Sequence, residues 1–341
     1  MVAPRRPSLA ANVAIGLNAV LAAVDNGRPK VLCVQTGEYA LGLPYGPFDP
    51  ERHRTFEIGV REWVERQTNV SLGFIEQLYT FGDKGREAPA AALSGGAEND
   101  RIISVGYLAL TSAPMDVLAA DAVWRDWYSF FPWEDWRGGD PAVISKTITP
   151  GLAEWVERSE TQTQRDQRQA RVDIAFGLDG FGWEEERTLD RYELLYEAGL
   201  VVEAWRDREA AGLAPPRSNK PQGAIMGAPM ISDHRRILAT AIGRLRGKLK
   251  YRPIIFEMTP PEFTLLQLQQ IAEAIVGFQF HKQNFRRSIE KSGFVENTGE
   301  TTGHAGGRPA ALFRINRDGL KDRAASGLAI PRLRRDASAC D

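Results

Sequence analysis

The stretch FEIGVREWVERQTNV, residues 56–70, decides how the first half of this chain is read. Phe56, Val60 and Val64 recur every fourth residue, with Arg61, Glu62, Glu65 and Arg66 between them. That spacing predicts an amphipathic helix with one buried stripe. Asn69 stands where the helix must stop, and asparagine accepts the left-handed geometry of a C-terminal cap. The Pro- and Gly-rich GLPYGPFDPERHR, 42–54, delivers the chain into this helix. Strand-like runs at 13–24 and 30–34 come before it, joined at DNGRPKVLCV by a hairpin turn. GFIEQLYTFGD (73–83) and RIISVGYLALTS (101–112) follow as strands around a Gly/Ala/Ser-rich loop at 84–99.

Further along, 114–150 is aromatic-rich and broken by Pro and Gly. GLAEWVERSETQTQRDQRQA predicts helix, RVDIAFGL a strand, and 183–210 one long helix. The densest Pro/Gly/Ser/Asn signal is GLAPPRSNKPQGAIMGAPM, 212–230, so the main domain boundary is expected there. Beyond it, SDHRRILATAIGRLRGKL predicts a helix capped by Ser232 or Asp233. PPEFTLLQLQQIAEAIVG and FHKQNFRRSIEKSG predict two more, and FVENTGETTGHAGGRPAALFRI a strand, a glycine-rich loop and a strand. Two short helices, a tight joint and a ribbon with a basic tip make a winged helix-turn-helix. The expected plan is a disordered 1–11, an effector domain over 12–211 with an aromatic insertion at 114–150, a linker at 212–230, a DNA-binding domain over 231–320 and a flexible tail at 321–341.

The 341 residues are 43% apolar and 26% charged, ordinary values for a globular protein with two domains. Cys33 and Cys340 form neither a disulfide framework nor a zinc site. No run approaches the ~18–20 apolar residues of a membrane span, which points to the cytoplasm. The net charge of −1 hides an asymmetry. Residues 231–336 carry 19 Lys or Arg against 10 Asp or Glu, leaving 24 against 34 for the rest. A basic block behind an acidic body suits a polyanionic partner.

In a helix-turn-helix the second helix enters the major groove. Phe285 and Ile289 supply its inner face here. Lys282, Gln283, Asn284, Arg286 and Arg287 supply an outer face suited to base edges and phosphates. The ribbon tip carries Thr302, His304 and Arg308 among glycines, which allow close approach to phosphates.

Residues 13–110 run strand, strand, loop, helix, strand, strand, and here the chain resembles the Nudix fold. That family's signature is G-x5-E-x7-R-E-U-x-E-E-x-G-U, where U is apolar and the glutamates hold divalent metals that activate water. Two registers fit. Anchoring on REW keeps Arg61, Glu62 and Glu65 but buries Thr55, Gly59 and Trp63. Anchoring on TNV buries Phe56, Val60 and Val64, the cleaner apolar series, and puts Arg54, Trp63, Arg66 and Gln67 at the carboxylate positions. In that preferred register Gly46 lies two residues before the opening glycine's place, and hydrolysis is not expected. Under the first, Glu62 and Glu65 leave weak metal-dependent hydrolysis open.

A wider resemblance rests on EQLYTFGDKGR (76–86), ISVGYLAL (103–110), YRPIIFEMTPPEFTL (251–265), NFRRSIEKSGFVENTGE (284–300) and GGRPAALFR (306–314). Together these look like the Nudix-related regulators of NAD biosynthesis, the NrtR and NadQ-type repressors. The resemblance implies an α+β fold: an α/β/α sandwich with a mixed sheet and helical insertion, then a winged helix-turn-helix. It implies operator DNA as partner, an adenine-nucleotide effector (NAD, ATP or ADP-ribose) and no required cofactor, catalytic set or metal. Arg52, Arg54 and Arg66 suit the effector's phosphates. Tyr79 and Phe81 suit its base, with Asp83 and Arg86 on the adjoining loop. A homodimer, or a tetramer, is expected because such proteins read paired half-sites about one helical turn (~34–36 Å) apart. The rival readings are a working Nudix pyrophosphatase on ADP-ribose or a dinucleotide, and an RNA- or protein-binding adaptor.

Overall fold

The computed structural model describes residues 13–36, 40–83, 85–86, 101–114, 121–219, 221, 223–302 and 309–318. The expected disordered start, the C-terminal tail and Cys340 lie outside them. Strands β1 (Val13–Asp25) and β2 (Arg28–Thr36) form a hairpin through Asn26 and Gly27, whose φ values of 48° and 70° are those of a two-residue turn matched to strand twist. They join β3 (Ala40–Gly42), β4 (Tyr45–Pro47), β5 (Phe74–Phe81), β6 (Arg101–Leu110) and β7 (Ala122–Asp126) in one seven-stranded sheet. Its main order is β3-β2-β1-β6-β5, with β4 on β1 and β7 on β2. The β1–β6 pair is parallel and the others antiparallel, so the sheet is mixed.

The quoted helix, α1 (Phe56–Thr68), covers one sheet face. Leu17, Ala19 and Leu21 alternate along β1 and meet Val60 and Val64, both fully buried. Phe56 packs at the edge of the same cluster. The Thr55 hydroxyl accepts from Ile58 N at 3.2 Å to cap the start, and Asn69 stops the helix at φ 57°. Burial therefore falls on the stripe of the TNV register.

The opposite face corrects the expected boundary. Helix α6 (His234–Leu249), reached through 212–230, does not begin a separate body. Its Ile237, Leu238, Ala241 and Leu245 lie in the same core as Val20, Ala22, Leu78 and Phe81, on the other side of β1. Pro and Gly mark a surface crossing; no local signal says which element covers the next helix. Of the expected caps, Ser232 or Asp233, the second is the one that starts the helix. Asp233 takes the cap position without a side-chain cap bond, and its carboxylate meets Arg86 Nε at 3.1 Å and Arg236 at 3.6 Å.

Next to Asp233, His234 is buried, and its Nδ1 accepts from Leu43 N at 2.8 Å. Burial, then Arg206, pushes the imidazole down to about 3 from its usual 6.5. The unfolded chain thus binds the extra proton between those values. This contribution to stability is complete above pH 6.5 and is lost as pH falls towards 3. Between pH 6.5 and 5 the loss should be about 2 kcal/mol, at roughly 1.4 kcal/mol per unit. His234→Asn should flatten that part of the urea-unfolding profile between pH 7.5 and 5. Parallel profiles for variant and wild type would contradict the assignment.

The aromatic insertion holds β7 and short turns, and the chain after it is helical. Helices α2 (Thr149–Glu157), α3 (Gln162–Phe176), α4 (Thr188–Glu197) and α5 (Val202–Ala210) follow two 3-10 turns at Trp127–Ser129 and Pro132–Glu134. RVDIAFGL, expected as a strand, is the end of α3 and the turn beyond it. Val172, Ala175 and Phe176 are buried at helical spacing, and Gly177 stops the helix at φ 62°. Short apolar runs do not separate strand from buried helix. The single long helix expected at 183–210 is broken at Gly199, φ 74°, where an added Cβ would lie 2.4 Å from Pro216. The aromatic residues pack inward: Trp127, Phe130, Phe131 and Trp133 are almost fully buried.

Under the aromatic segment lies a buried charge cluster. Arg191 of α4 meets Glu134 through Nε at 2.6 Å and Nη2 at 2.9 Å, and Arg246 of α6 binds the same carboxylate. All three side chains are at most 1% exposed. Burial raises the Glu134 carboxyl, but the two guanidiniums outweigh it and hold it below the usual range.

The C-terminal part carries β8 (Glu262–Phe263), α7 (Leu265–Val276), α8 (Lys282–Ser292), β9 (Val295–Thr301) and β10 (Ala311–Ile315). Its sheet order is β8-β10-β9, all antiparallel. No helix among the described residues is long and apolar enough to cross a membrane.

Candidate functional site

Helix α7 starts at a capping box. Thr264 Oγ1 accepts from Gln267 N at 3.1 Å, and Gln267 Oε1 accepts from Thr264 N at 2.8 Å. It ends at Gly277, φ 94°, where an added Cβ would lie 2.4 Å from Glu134 O, so glycine is required twice over. Helix α8 then turns Phe285 and Ile289 inward, and the Phe285 ring stacks on Phe280 at 5.7 Å. Lys282, Gln283, Asn284, Arg286 and Arg287 are all exposed on the outer face. Among the described residues, Lys282, Arg286 and Arg287 have no ion-pair partner. His281 caps the helix start without a side-chain bond, so its first N–H groups also point outward.

The ribbon behind α8 is closed by Thr302. Its N donates to Ala310 O at 2.9 Å and its hydroxyl accepts from Ala310 N at 3.1 Å. Thr302 thus anchors the base of the tip, and its hydroxyl, which only accepts there, keeps a hydrogen to donate. His304 and Arg308 lie outside the described residues.

The α7–α8 joint is fastened to the body. Tyr128 OH donates to Ala274 O at 2.8 Å, Arg246 Nε donates to Ile275 O at 2.9 Å, and Trp136 N donates to Gly277 O at 2.6 Å. Three donors from the insertion and α6 thus satisfy carbonyls at the end of α7. Composition pointed to the aromatic segment, but no sequence signal paired Glu134 with Arg246.

The seven expected effector residues do not converge. Arg52, Arg54 and Arg66 lie on the α1 side of the sheet. Arg52 meets Glu62 at 2.9 Å, Arg66 meets the same carboxylate, and His53 Nε2 reaches it at 3.1 Å. His53 Nδ1 accepts from Asp49 N at 3.0 Å, so Nε2 is the atom that carries the hydrogen towards Glu62. Arg54 is exposed. Trp63 and Gln67, at carboxylate positions of the TNV register, are committed to β4. Trp63 Nε1 donates to Pro47 O at 2.8 Å, and Gln67 exchanges two bonds with the Tyr45 backbone at 2.8 and 2.9 Å. An added Cβ on Gly46 would lie 2.0 Å from the Trp63 ring, so this glycine answers to the indole.

Tyr79, Phe81, Asp83 and Arg86 lie towards α6. Tyr79 is exposed beneath the Arg244 guanidinium, 5.3 Å from the ring centroid. Phe81 is a correction: it is 6% exposed, in the core, and cannot stack on a base. Asp83 is tied to Arg236, which with the neighbouring arginines holds its carboxyl below the usual range against some burial. Arg86 pairs with Glu193 at 2.9 Å and lies 3.8 Å over the Tyr196 ring. Strand alternation predicts that Tyr79 and Phe81 share a face, but with a register shift between Gln77 and Thr80 the first is exposed and the second buried. Among the described residues, no three His, Cys, Asp or Glu cluster as a metal site would require.

Residues 255–315 match the NrtR DNA-binding winged helix domain. The C-terminal module is thus similar to the NrtR winged helix. The ADPR responsive transcriptional repressor NtrR of Acinetobacter baylyi is 43% identical over 83 residues, which are 24% of this chain and 33% of that protein. This chain therefore spans about a third of the length of that curated relative. The crystal structure of Shewanella oneidensis NrtR with a 27mer DNA matches 92% of this chain and 99% of that one, at 19% identity and a TM-score of 0.51. A second structure of Shewanella oneidensis NrtR matches 94% and 99%, at 20% identity and 0.51. These structural matches show a shared fold, an α+β part with a mixed sheet followed by a winged helix.

Proposed function

We propose that this protein is a transcriptional regulator that places α8 in the major groove of operator DNA and alters its grip when an adenine nucleotide binds. The carrying observation is the outer face of α8, where Lys282, Arg286 and Arg287 stand exposed with no ion-pair partner among the described residues of an NrtR-type module. ADP-ribose is the first candidate among NAD, ATP and ADP-ribose, supported by the name of the Acinetobacter relative. Repression of NAD biosynthesis genes and a cytoplasmic homodimer complete the reading. The arginines at 52, 54 and 66 remain the phosphate-facing candidates on the α1 side. A ligand can shift operator binding only through unequal affinity for the two states. The fastening of α7 to Tyr128, Arg246 and Trp136 gives a physical route for that inequality. A gel shift on the gene's own upstream DNA, titrated with each nucleotide in turn, tests it. No shift at all, or a shift indifferent to all three, would overturn the reading.

Hydrolysis is not part of it. Glu62 is engaged by Arg52, Arg66 and His53, and cationic neighbours disfavour a divalent metal. ADP-ribose incubated with Mg²⁺ or Mn²⁺ should release no phosphate-bearing product above background. Robust turnover abolished by Glu62→Gln would instead establish the pyrophosphatase.

A further inference from the structure

A cleft of about 970 Å³ opens among α2, α3, α4, α5 and the loop after α5. Of the residues expected to meet a ligand, only Arg86 borders it. The cleft's volume lies at the upper end of small-molecule pockets, roughly 300–1,000 Å³. Its arginines are not alike. Arg158 and Arg171 pair with Glu154 and Glu197. Arg168, Arg208 and Arg217 have no carboxylate partner among the described residues. Neutral groups hold the first two. Arg168 Nη1 donates to Trp155 O at 2.8 Å, with its guanidinium 4.3 Å over the Trp155 ring. Arg208 Nε donates to Ala214 O at 2.6 Å. These contacts fix the guanidiniums in place without neutralising them. Another part of the lining is apolar: Ala211, Leu213 and Pro216, with Leu213 56% exposed.

Glu160 also lines the cleft without an ion pair among the described residues, but the three guanidiniums outnumber it, so this edge attracts a multiply charged anion. Their planar donor forks match phosphate oxygens two at a time. Three guanidiniums present more N–H donors than one phosphate meets, and linked phosphates can span them. The exposed Leu213 and the neighbouring Pro216 offer an organic group an apolar surface. We propose that this cleft binds a nucleoside di- or triphosphate or a dinucleotide, with its pyrophosphate on Arg168, Arg208 and Arg217 and its organic part against Leu213 and Pro216. The site is separate from the arginines at 52, 54 and 66 and does not depend on them.

Calorimetric titration of the full chain with ATP, ADP-ribose and inorganic pyrophosphate tests this. Three variants are compared with wild type: Arg168→Ala/Arg208→Ala, Leu213→Asp, and Arg52→Ala/Arg54→Ala/Arg66→Ala. Wild type should bind at least one of the two nucleotides. The double arginine variant should weaken that binding and pyrophosphate binding at least 10-fold, with an unchanged thermal midpoint. Leu213→Asp should weaken the nucleotide more than pyrophosphate. The triple variant should retain nucleotide binding at the cleft. Wild type that binds none of the three ligands would overturn the proposal, as would loss confined to the triple variant. A parallel gel shift of ligand-free protein keeps the tests apart. Its failure would sink the regulator reading while leaving the cleft intact.

Discussion

Glu134→Ala should lower the unfolding free energy by about 3–5 kcal/mol, a large share of the ~5–15 kcal/mol of a typical domain. The cost follows from what the substitution leaves behind. Arg191 and Arg246 are at most 1% exposed, and each binds the same carboxylate. Without it, two guanidinium charges remain buried in a core built by Trp127, Phe131 and Trp133. Arg191 also stacks 3.8 Å over Trp183, so it cannot swing to water without unpacking that ring. Glu134→Gln keeps the shape but loses the charge and should fall between. The effect should also reach DNA binding, because Arg246 donates to Ile275 O at the end of α7. Urea unfolding measures the first part and operator affinity the second. A loss below about 1 kcal/mol for Glu134→Ala would show that the cluster relaxes or hydrates.

Operator binding should collapse for a different reason in Arg286→Ala/Arg287→Ala. Both side chains are exposed and have no carboxylate partner among the described residues, so their loss costs the fold little. Each base-edge contact is worth roughly 1–3 kcal/mol, and each phosphate contact lowers the salt slope by about 1. The double variant should bind its operator on the order of 100-fold more weakly, with an unchanged circular dichroism spectrum. Comparing the salt dependence of the two single variants separates a base reader from a phosphate clamp. Unchanged binding in both would mean that α8 is not the recognition helix.

Much of this was legible because it is local. The stripe of Phe56, Val60 and Val64, the left-handed Asn69, the hairpin at Asn26 and Gly27, and the inward Phe285 and Ile289 follow from periodicity and turn chemistry alone. The errors are also physical. RVDIAFGL is too short for its period to separate strand from helix. The break at Gly199 depends on Pro216 and Ser218, far along the chain. Strict alternation fails in β5, where a register shift between Gln77 and Thr80 puts Phe81 on the buried face with Leu78, under α6. The expected effector residues were gathered by nearness in sequence, and the sheet put them on opposite sides.

From its order of residues, then, this protein takes its α+β plan, the buried stripe of α1 with its left-handed stop at Asn69, and the polar face of α8. Each is a short-range pattern that a single element expresses. Tertiary structure alone decided that α6 belongs to the sandwich, that Glu134 neutralises two distant arginines beneath α7, and that Arg168, Arg208 and Arg217 share one cleft. Those depend on which surfaces meet when buried area is shared among elements far apart in the chain, and non-local burial leaves no periodic trace in the sequence.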